Sequence, residues 1–247
     1  FAADSSLAII GYEVFHATPI SQCAITPDAG GIVVIPKTLS SFYPLAFYGC
    51  PSSSNQLIFA YEDGSIMKNI SNYAFYGSNI KSITLPQSIE SINPFSFYKC
   101  SKLEKIYFET GSKLSLIGSN AFQLTNLKSI ELPSSINEIE EAVFSRCYKL
   151  NTVIFSSSSP QDSSNLTAIA KNTFESSSIV KILLPSTIET IGENAFKNCS
   201  FIKTIFIPHK VKYLGPYSFA ECNKLMSIEF DPFTKLVFIG NNAFEST

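Results

Sequence analysis

A small or branched residue followed by phenylalanine returns along this chain at a nearly fixed interval. That period constrains the fold more than any other feature. The pair is Ala46-Phe47, Ala74-Phe75, Ala121-Phe122, Val143-Phe144, Ala195-Phe196 and Ala243-Phe244. Ten phenylalanines anchor the series: Phe15, Phe47, Phe75, Phe97, Phe122, Phe144, Phe174, Phe196, Phe219 and Phe244. Their spacings are 32, 28, 22, 25, 22, 30, 22, 23 and 25 residues, so the basal unit is 22–23 residues with insertions in some copies. A unit of that size cannot bury its own apolar face. Stacked units can share one continuous core.

Before most anchors stands an apolar triplet at i, i+3 and i+5. Leu127, Ile130 and Leu132 show it, as do Ile80/Ile83/Leu85, Leu103/Ile106/Phe108, Leu150/Val153/Phe155, Ile179/Ile182/Leu184, Ile202/Ile205/Ile207 and Leu225/Ile228/Phe230. The last two positions alternate with polar ones, which is the strand period. Each unit reads as a short strand, a turn, a second apolar pair and a phenylalanine corner. Units come in two kinds. One carries Pro straight after the strand (Pro36, Pro86, Pro133, Pro185, Pro208), and the other ends its strand in Phe (Phe59, Phe108, Phe155, Phe230). The longest insertion is the polar run from Ser156 to Ser164. The expected fold is a β-rich α/β solenoid of about ten stacked units of 22–30 residues. It has a parallel sheet along one side and little regular helix.

Composition removes several function classes. The 247 residues are 45% hydrophobic but only 15% charged, and net charge is −2. A nucleic-acid binder would show a basic face. Arg146 is the single arginine, and His16 and His209 are the only histidines. Arginine clamps on phosphate and histidine-rich metal sites are therefore not expected. No run of 18 apolar residues forms a membrane span. Glu62-Asp63 and Glu140-Glu141 are adjacent in sequence, so in extended chain their carboxylates diverge. There is no nucleophile elbow and no phosphate loop. No catalytic residue, metal site or cofactor is expected.

The stretch Leu127–Cys147 carries the pattern Leu-x-x-Ile-x-Leu-Pro, a second apolar pair, then Val-Phe-x-x-Cys. Ile80–Cys100 and Ile179–Cys199 repeat it. These residues resemble the BspA-like, or treponemal-type, leucine-rich repeats, and the resemblance runs from about Val33 to Phe244. It implies a right-handed horseshoe or flatter arc with the sheet on its concave face. It also implies a cell-surface or secreted protein linked to adhesion to host proteins and cells. A single leucine-rich-repeat domain over 1–247 is expected. Residues 1–30 would form a degenerate unit around Gly11–Phe15. The pattern reaches Phe244 with no distinct cap, so the array is expected to continue past Thr247.

Three groups of residues are candidates for function. The first is the outward residue at the centre of each strand: Val34, Ile58, Thr84, Tyr107, Glu131, Ile154, Leu183, Phe206 and Glu229. Six of these nine are apolar or aromatic, whereas a solvated sheet face is more polar. An apolar stripe with a polar rim fits a protein interface, with Tyr107 and Phe206 as anchors. The bland reading is that β-propensity selects the same residues. The second group is the sequon asparagines Asn69, Asn165 and Asn198, which could accept N-linked glycans. The third is the cysteines. Cys50, Cys100, Cys147, Cys199 and Cys222 each lie three residues after an anchor in a Pro-type unit, and Cys23 stands alone. Alternate rungs are too far apart for disulfides, so most are expected to be free and buried. Only Cys199 and Cys222, on consecutive rungs, could bridge. The function expected is non-catalytic binding of a protein partner, such as a host-cell or extracellular-matrix protein, through the sheet face. A structural spacer, an intracellular scaffold and carbohydrate recognition, the last hinted at by Tyr107 near Glu131, are the alternatives.

Overall fold

A computed structural model describes residues 9–10, 32–48, 57–156 and 165–247. Phe15, the unit at Gly11–Phe15, Cys23, Cys50 and the centre of the Ser156–Ser164 loop lie outside the described residues. Long and short strands alternate along the chain. The long ones are β2 (Ile32–Ile35), β4 (Leu57–Tyr61), β6 (Ile80–Leu85), β8 (Lys105–Phe108), β10 (Ser129–Leu132), β12 (Thr152–Phe155), β14 (Lys181–Ile182), β16 (Thr204–Ile207) and β18 (Ser227–Phe230). The short ones are β1 (Ile9–Ile10), β3 (Ser41–Phe42), β5 (Asn69–Ile70), β7 (Ser91–Ile92), β9 (Leu116–Ile117), β11 (Glu138–Ile139), β13 (Ala168–Ile169), β15 (Thr190–Ile191), β17 (Tyr213–Leu214) and β19 (Phe238–Ile239). Every pairing is parallel and joins the same element of successive turns. No helix occurs among the described residues. The chain is a parallel β-solenoid, as the period predicts.

One turn shows why the sequence winds this way. In β6, Ile83 and Leu85 point inward and are fully buried, while Thr84 between them points out. Pro86 then ends the strand, because it has no N–H to offer the ladder. Its carbonyl accepts the N–H of Ile89 at 3.1 Å, closing a tight turn, and Ile89 is buried. The same closure occurs at Pro36, Pro133, Pro185 and Pro208. The short strand β7 follows and buries Ile92. The chain then reaches the corner that carries Phe97.

The corners hold the stack together. Phe47, Phe75, Phe97, Phe122, Phe144, Phe174, Phe196, Phe219 and Phe244 form one internal column. Successive ring centroids are 4.9–5.6 Å apart and tilted by no more than 20°. Parallel rings at that spacing follow from rungs about 4.8 Å apart. Two residues before each phenylalanine of the column, and two after each one from Phe75 onward, the backbone turns left-handed. Asn120 (φ 60°) and Leu124 (φ 62°) flank Phe122, and Asn194 (φ 53°) and Asn198 (φ 57°) flank Phe196. Between and including these left-handed residues, every second N–H points at the next rung. From Phe75 onward three N–H groups per rung donate across the gap. Phe95, Phe97 and Lys99, for example, donate to the carbonyls of Ser119, Ala121 and Gln123 at 2.8–3.0 Å. The intervening amides close i→i−3 turns within their own rung, as Tyr98 does with Phe95 at 3.1 Å.

This corner ladder runs unbroken from Phe75 to Phe244, whereas both strand ladders are interrupted. Long strands form separate sheets β2-β4-β6-β8, β10-β12-β14 and β16-β18, and short strands split between β11 and β13. The 30-residue step from Phe144 to Phe174 keeps all three corner bonds, at 2.7–3.0 Å. Insertions therefore enter between strands and spare the corner.

A mid-column truncation should be costly and a misplaced hydroxyl should be worth removing. Phe144→Ala is expected to destabilise by about 3–5 kcal/mol through the cavity it opens. Ser218 takes the place held by alanine at Ala121 and Ala195, and its buried hydroxyl has no partner among the described residues. Ser218→Ala should therefore stabilise by about 1 kcal/mol. Chemical denaturation of both variants measures these shifts; a destabilised Ser218→Ala protein would contradict the second.

Candidate functional site

The outward residues of the long strands are placed by the pairing register. Thr84 pairs with Tyr107, Glu131 with Ile154 and Phe206 with Glu229. Leu183 follows Ile182, which pairs with Val153. Val34 pairs with Ala60, and this moves one residue of the expected row. Ile58 pairs with Ile32 on one side and Ser82 on the other, so it lies in the flanking outward row. Ala60 fills the central position. The physical reason is that β4 runs on past Phe59 to Tyr61, so Phe59 and Tyr61 are the buried inward pair and the residue between them is Ala60. The rest of the flanking row is polar: Ser82, Lys105, Ser129, Thr152, Lys181, Thr204 and Ser227.

Exposure separates the central row into two apolar groups. Ile154, Leu183 and Phe206 occupy consecutive rungs and are exposed by 48%, 70% and 39%. Tyr107, at 50%, is set apart from them by exposed Glu131. Val34 is also exposed, Ile58 and Thr84 are half-buried, and Glu229 is exposed beyond Phe206. The three-residue stripe has no inward packing role, since the same strands bury Val153, Leu184, Ile205 and Ile207 on the other side.

Hollows open where strand pairing lapses. Between β8 and β10 only the Lys128 N–H bonds to the Glu104 carbonyl, at 3.3 Å, and the C-terminal halves of the strands share no ladder bond among the described residues. A hollow of about 460 Å³ lies there, between Tyr107, Glu109 and Glu131. Between β11 and β13 a second hollow, of about 620 Å³, is bordered by Glu138, Glu140 and Glu141. Glu140 Oε2 accepts both the N–H and the hydroxyl of Ser119 at 2.7 Å, which ties one of these carboxylates into the wall. The adjacent carboxyl pair thus has a structural task on one side. Among the described residues no cluster of His, Cys, Asp or Glu is arranged to hold a metal ion.

The cysteines form part of a buried polar column. Cys100, Cys147, Cys199 and Cys222 are all free thiols. Each donates its S–H to the carbonyl of the preceding rung's anchor phenylalanine, at 2.8–3.1 Å. In the unit before three of them the same position holds a hydroxyl: Ser78 lies 3.5 Å from Cys100 Sγ, Thr125 3.3 Å from Cys147 Sγ and Ser177 3.4 Å from Cys199 Sγ. The restriction of cysteine to Pro-type units thus reflects an alternating thiol and hydroxyl column. Cys199 and Cys222 hold separate carbonyls rather than each other. Burial pushes the Cys100 thiol up to about 12 and those of Cys147 and Cys222 up to about 11.

The sequon asparagines differ in setting. Asn69, Asn165 and Asn198 are all exposed. The Asn69 carboxamide accepts the Ser91 hydroxyl at 2.7 Å. Asn198 sits in a left-handed turn, donates to Ser176 and accepts from Ser200. Asn165 borders the long insertion.

An exterior aromatic strip escapes the sequence reading above. Tyr48, Tyr76 and Tyr98, each one residue past its anchor, lie 5.1–5.2 Å apart in succession. Tyr73 and Phe95 stack at 4.9 Å beside them, in left-handed turns at φ 58° and 59°. Gln123 and Asn120 end the strip on the next rung. Its signal was present in Tyr73-Ala74-Phe75-Tyr76 and Phe95-Ser96-Phe97-Tyr98, where aromatics flank the anchor and Tyr73 and Phe95 take left-handed positions that favour asparagine or glycine.

A stack of parallel rungs, a buried apolar row in every long strand and a repeated corner define a leucine-rich-repeat solenoid. A family model described as BspA type leucine rich repeat region matches residues 68–163 and 158–247, in six copies. The chain belongs to that family. Among solved structures it is similar to a leucine rich cell surface protein from Faecalibacterium prausnitzii, at 26% identity and a TM-score of 0.56. That match covers 67% of this chain and 43% of the other, so the chain spans less than half of that protein. A leucine-rich repeat protein from Bacteroides ovatus shares the fold, at 24% identity and a TM-score of 0.64 over 97% of this chain and 68% of that one. No curated protein matches the chain. Among the described residues no helix is long and apolar enough to cross a membrane.

The thiols give two expected outcomes. Folded protein at about pH 8 should resist alkylation at Cys100, Cys147, Cys199 and Cys222, and all four should react after denaturation without reductant; mass spectrometry reads both. Modification of any of them in the folded state would contradict the burial. Stability should also fall as pH rises. Above the ordinary thiol value of 9.0 the unfolded chain loses protons that folded Cys100 keeps until about 12, so alkali favours unfolding across that window.

Proposed function

We propose that this chain is a non-catalytic recognition module of the cell surface that binds a protein partner through the outward face of its long strands. A host-cell surface or extracellular-matrix protein is the partner class that fits. The observation that carries the reading is the exposed stripe Ile154–Leu183–Phe206, bordered by the polar row Thr152, Lys181 and Thr204. An apolar centre inside a polar rim is the anatomy of a protein interface. Strands fixed by the corner ladder present these side chains with little ordering left to do on binding. The similarity to a bacterial protein described as a leucine rich cell surface protein supports the surface setting. Asn69, Asn165 and Asn198 are proposed glycan acceptors, Asn165 foremost because it is exposed beside the long polar insertion.

The test is binding of the protein to host cells and to immobilised matrix proteins, beside a Leu183→Ser/Phe206→Ser variant. Both positions are exposed, so the melting temperature should stay within a few degrees. Affinity should fall at least about tenfold, as expected when interface anchors are truncated. Undiminished binding by the variant would remove the stripe from the interface.

A further inference from the structure

The hollow between β8 and β10 has a chemistry distinct from the apolar stripe. One wall is the ring of Tyr107, which is half exposed. Two carboxylates border it, Glu109 and Glu131, along with the hydroxyl residues Thr110, Ser112 and Ser156. No Lys, Arg or His lines it among the described residues.

Both carboxylates are already steered by neighbours. The Ser156 hydroxyl donates to Glu131 Oε1 at 2.9 Å. The Gln87 backbone N–H donates to Glu109 Oε2 at 2.8 Å. Each bond fixes one oxygen and leaves the other, Glu131 Oε2 and Glu109 Oε1, without a partner among the described residues. Lapsed pairing between the two strands creates the space, and its volume of about 460 Å³ suits a small ligand. Glu131 is also the residue that interrupts the apolar row, so the same substitution that spoils the stripe supplies the hollow's acceptor.

We infer that this hollow binds a neutral pyranose sugar, a ligand class that the protein-partner reading does not include. A pyranose has a face of C–H groups that stacks on the electron-rich face of a tyrosine ring. Its hydroxyls are donors, and carboxylate oxygens are acceptors only. Two carboxylates with no cation beside them repel phosphates and uronic acids, which sets the ligand's charge. Thr110 and Ser112 can donate or accept as the sugar's remaining hydroxyls require, and Ser156, whose hydrogen goes to Glu131, can accept.

The experiment is saturation-transfer NMR on the folded protein. The probes are methyl β-D-glucopyranoside, methyl β-D-galactopyranoside and methyl α-D-mannopyranoside at millimolar concentration, with D-glucuronate as the anionic control. At least one neutral glycoside should receive saturation, strongest on the ring C–H protons of one face. Tyr107→Ala should weaken it about five- to tenfold, and Glu131→Gln should weaken it without changing the fold. Leu183→Ser/Phe206→Ser should leave it unchanged, which separates failure of this inference from failure of the interface. Glu131→Gln is nearly isosteric and exposed, so it decides the matter if Tyr107→Ala folds poorly. No transfer to any neutral glycoside would overturn the inference. So would equal binding of glucuronate, or signals insensitive to both Tyr107→Ala and Glu131→Gln.

Discussion

The solenoid depends on the hydrogen-bonded corner around each buried phenylalanine. Three N–H groups per rung reach the next rung from Phe75 to Phe244 without a break, while both strand ladders are interrupted. The geometry requires left-handed backbone on both sides of each ring. That costs roughly 1 kcal/mol or more for residues such as Tyr73, Phe95 and Leu124. Asn120, Asn172, Asn194, Asn198 and Asn242 ease it where they occur. The cost is offset because the corner satisfies backbone groups beside the core and seats a ring against two others. Such a stack gains stability rung by rung, each turn supported by its two neighbours.

Much of this was legible in the residues. The phenylalanine period fixed the order and spacing of the turns, and the apolar triplets placed the long strands. Proline after the strand marked where pairing must stop. These signals are local and repeat at every turn, so they reinforce one another. What was not legible depended on comparison between turns. Ile58 falls in the central row if Phe59 ends the strand, yet the strand runs on to Tyr61 and Ala60 holds that position. The thiol and hydroxyl column shows the same limit. Cysteine at one kind of unit was visible, but its partner is a residue 22 positions away whose role appears only when rungs stack.

The candidate surfaces follow from the same division of labour. A rigid corner lets the strand side vary, since the core needs only the inward residues. The outward row therefore carries Tyr107, Glu131 and Ile154 on successive frameworks of the same shape. The sheet can also part locally without unravelling the turn. The hollows at β8/β10 and β11/β13 occur where strand pairing lapses beside an unbroken corner. Sequence alone located the residues of the row. It could not reveal that Glu109, Tyr107 and Glu131 enclose one space, because that space exists through missing pairing.

The corner bonds also share a direction. The N–H groups of Phe95, Phe97 and Lys99 all face the following rung, and the carbonyls of Pro94, Ser96 and Tyr98 all face the preceding one. Three peptide dipoles per rung therefore add instead of cancelling, unlike those of an ordinary sheet. An α-helix aligns 3.6 peptides per 5.4 Å, and this edge aligns about three per 4.8 Å. One side of the solenoid thus behaves electrically like a long helix lying along the axis, its positive pole toward the higher-numbered rungs, in a protein built without helices among its described residues.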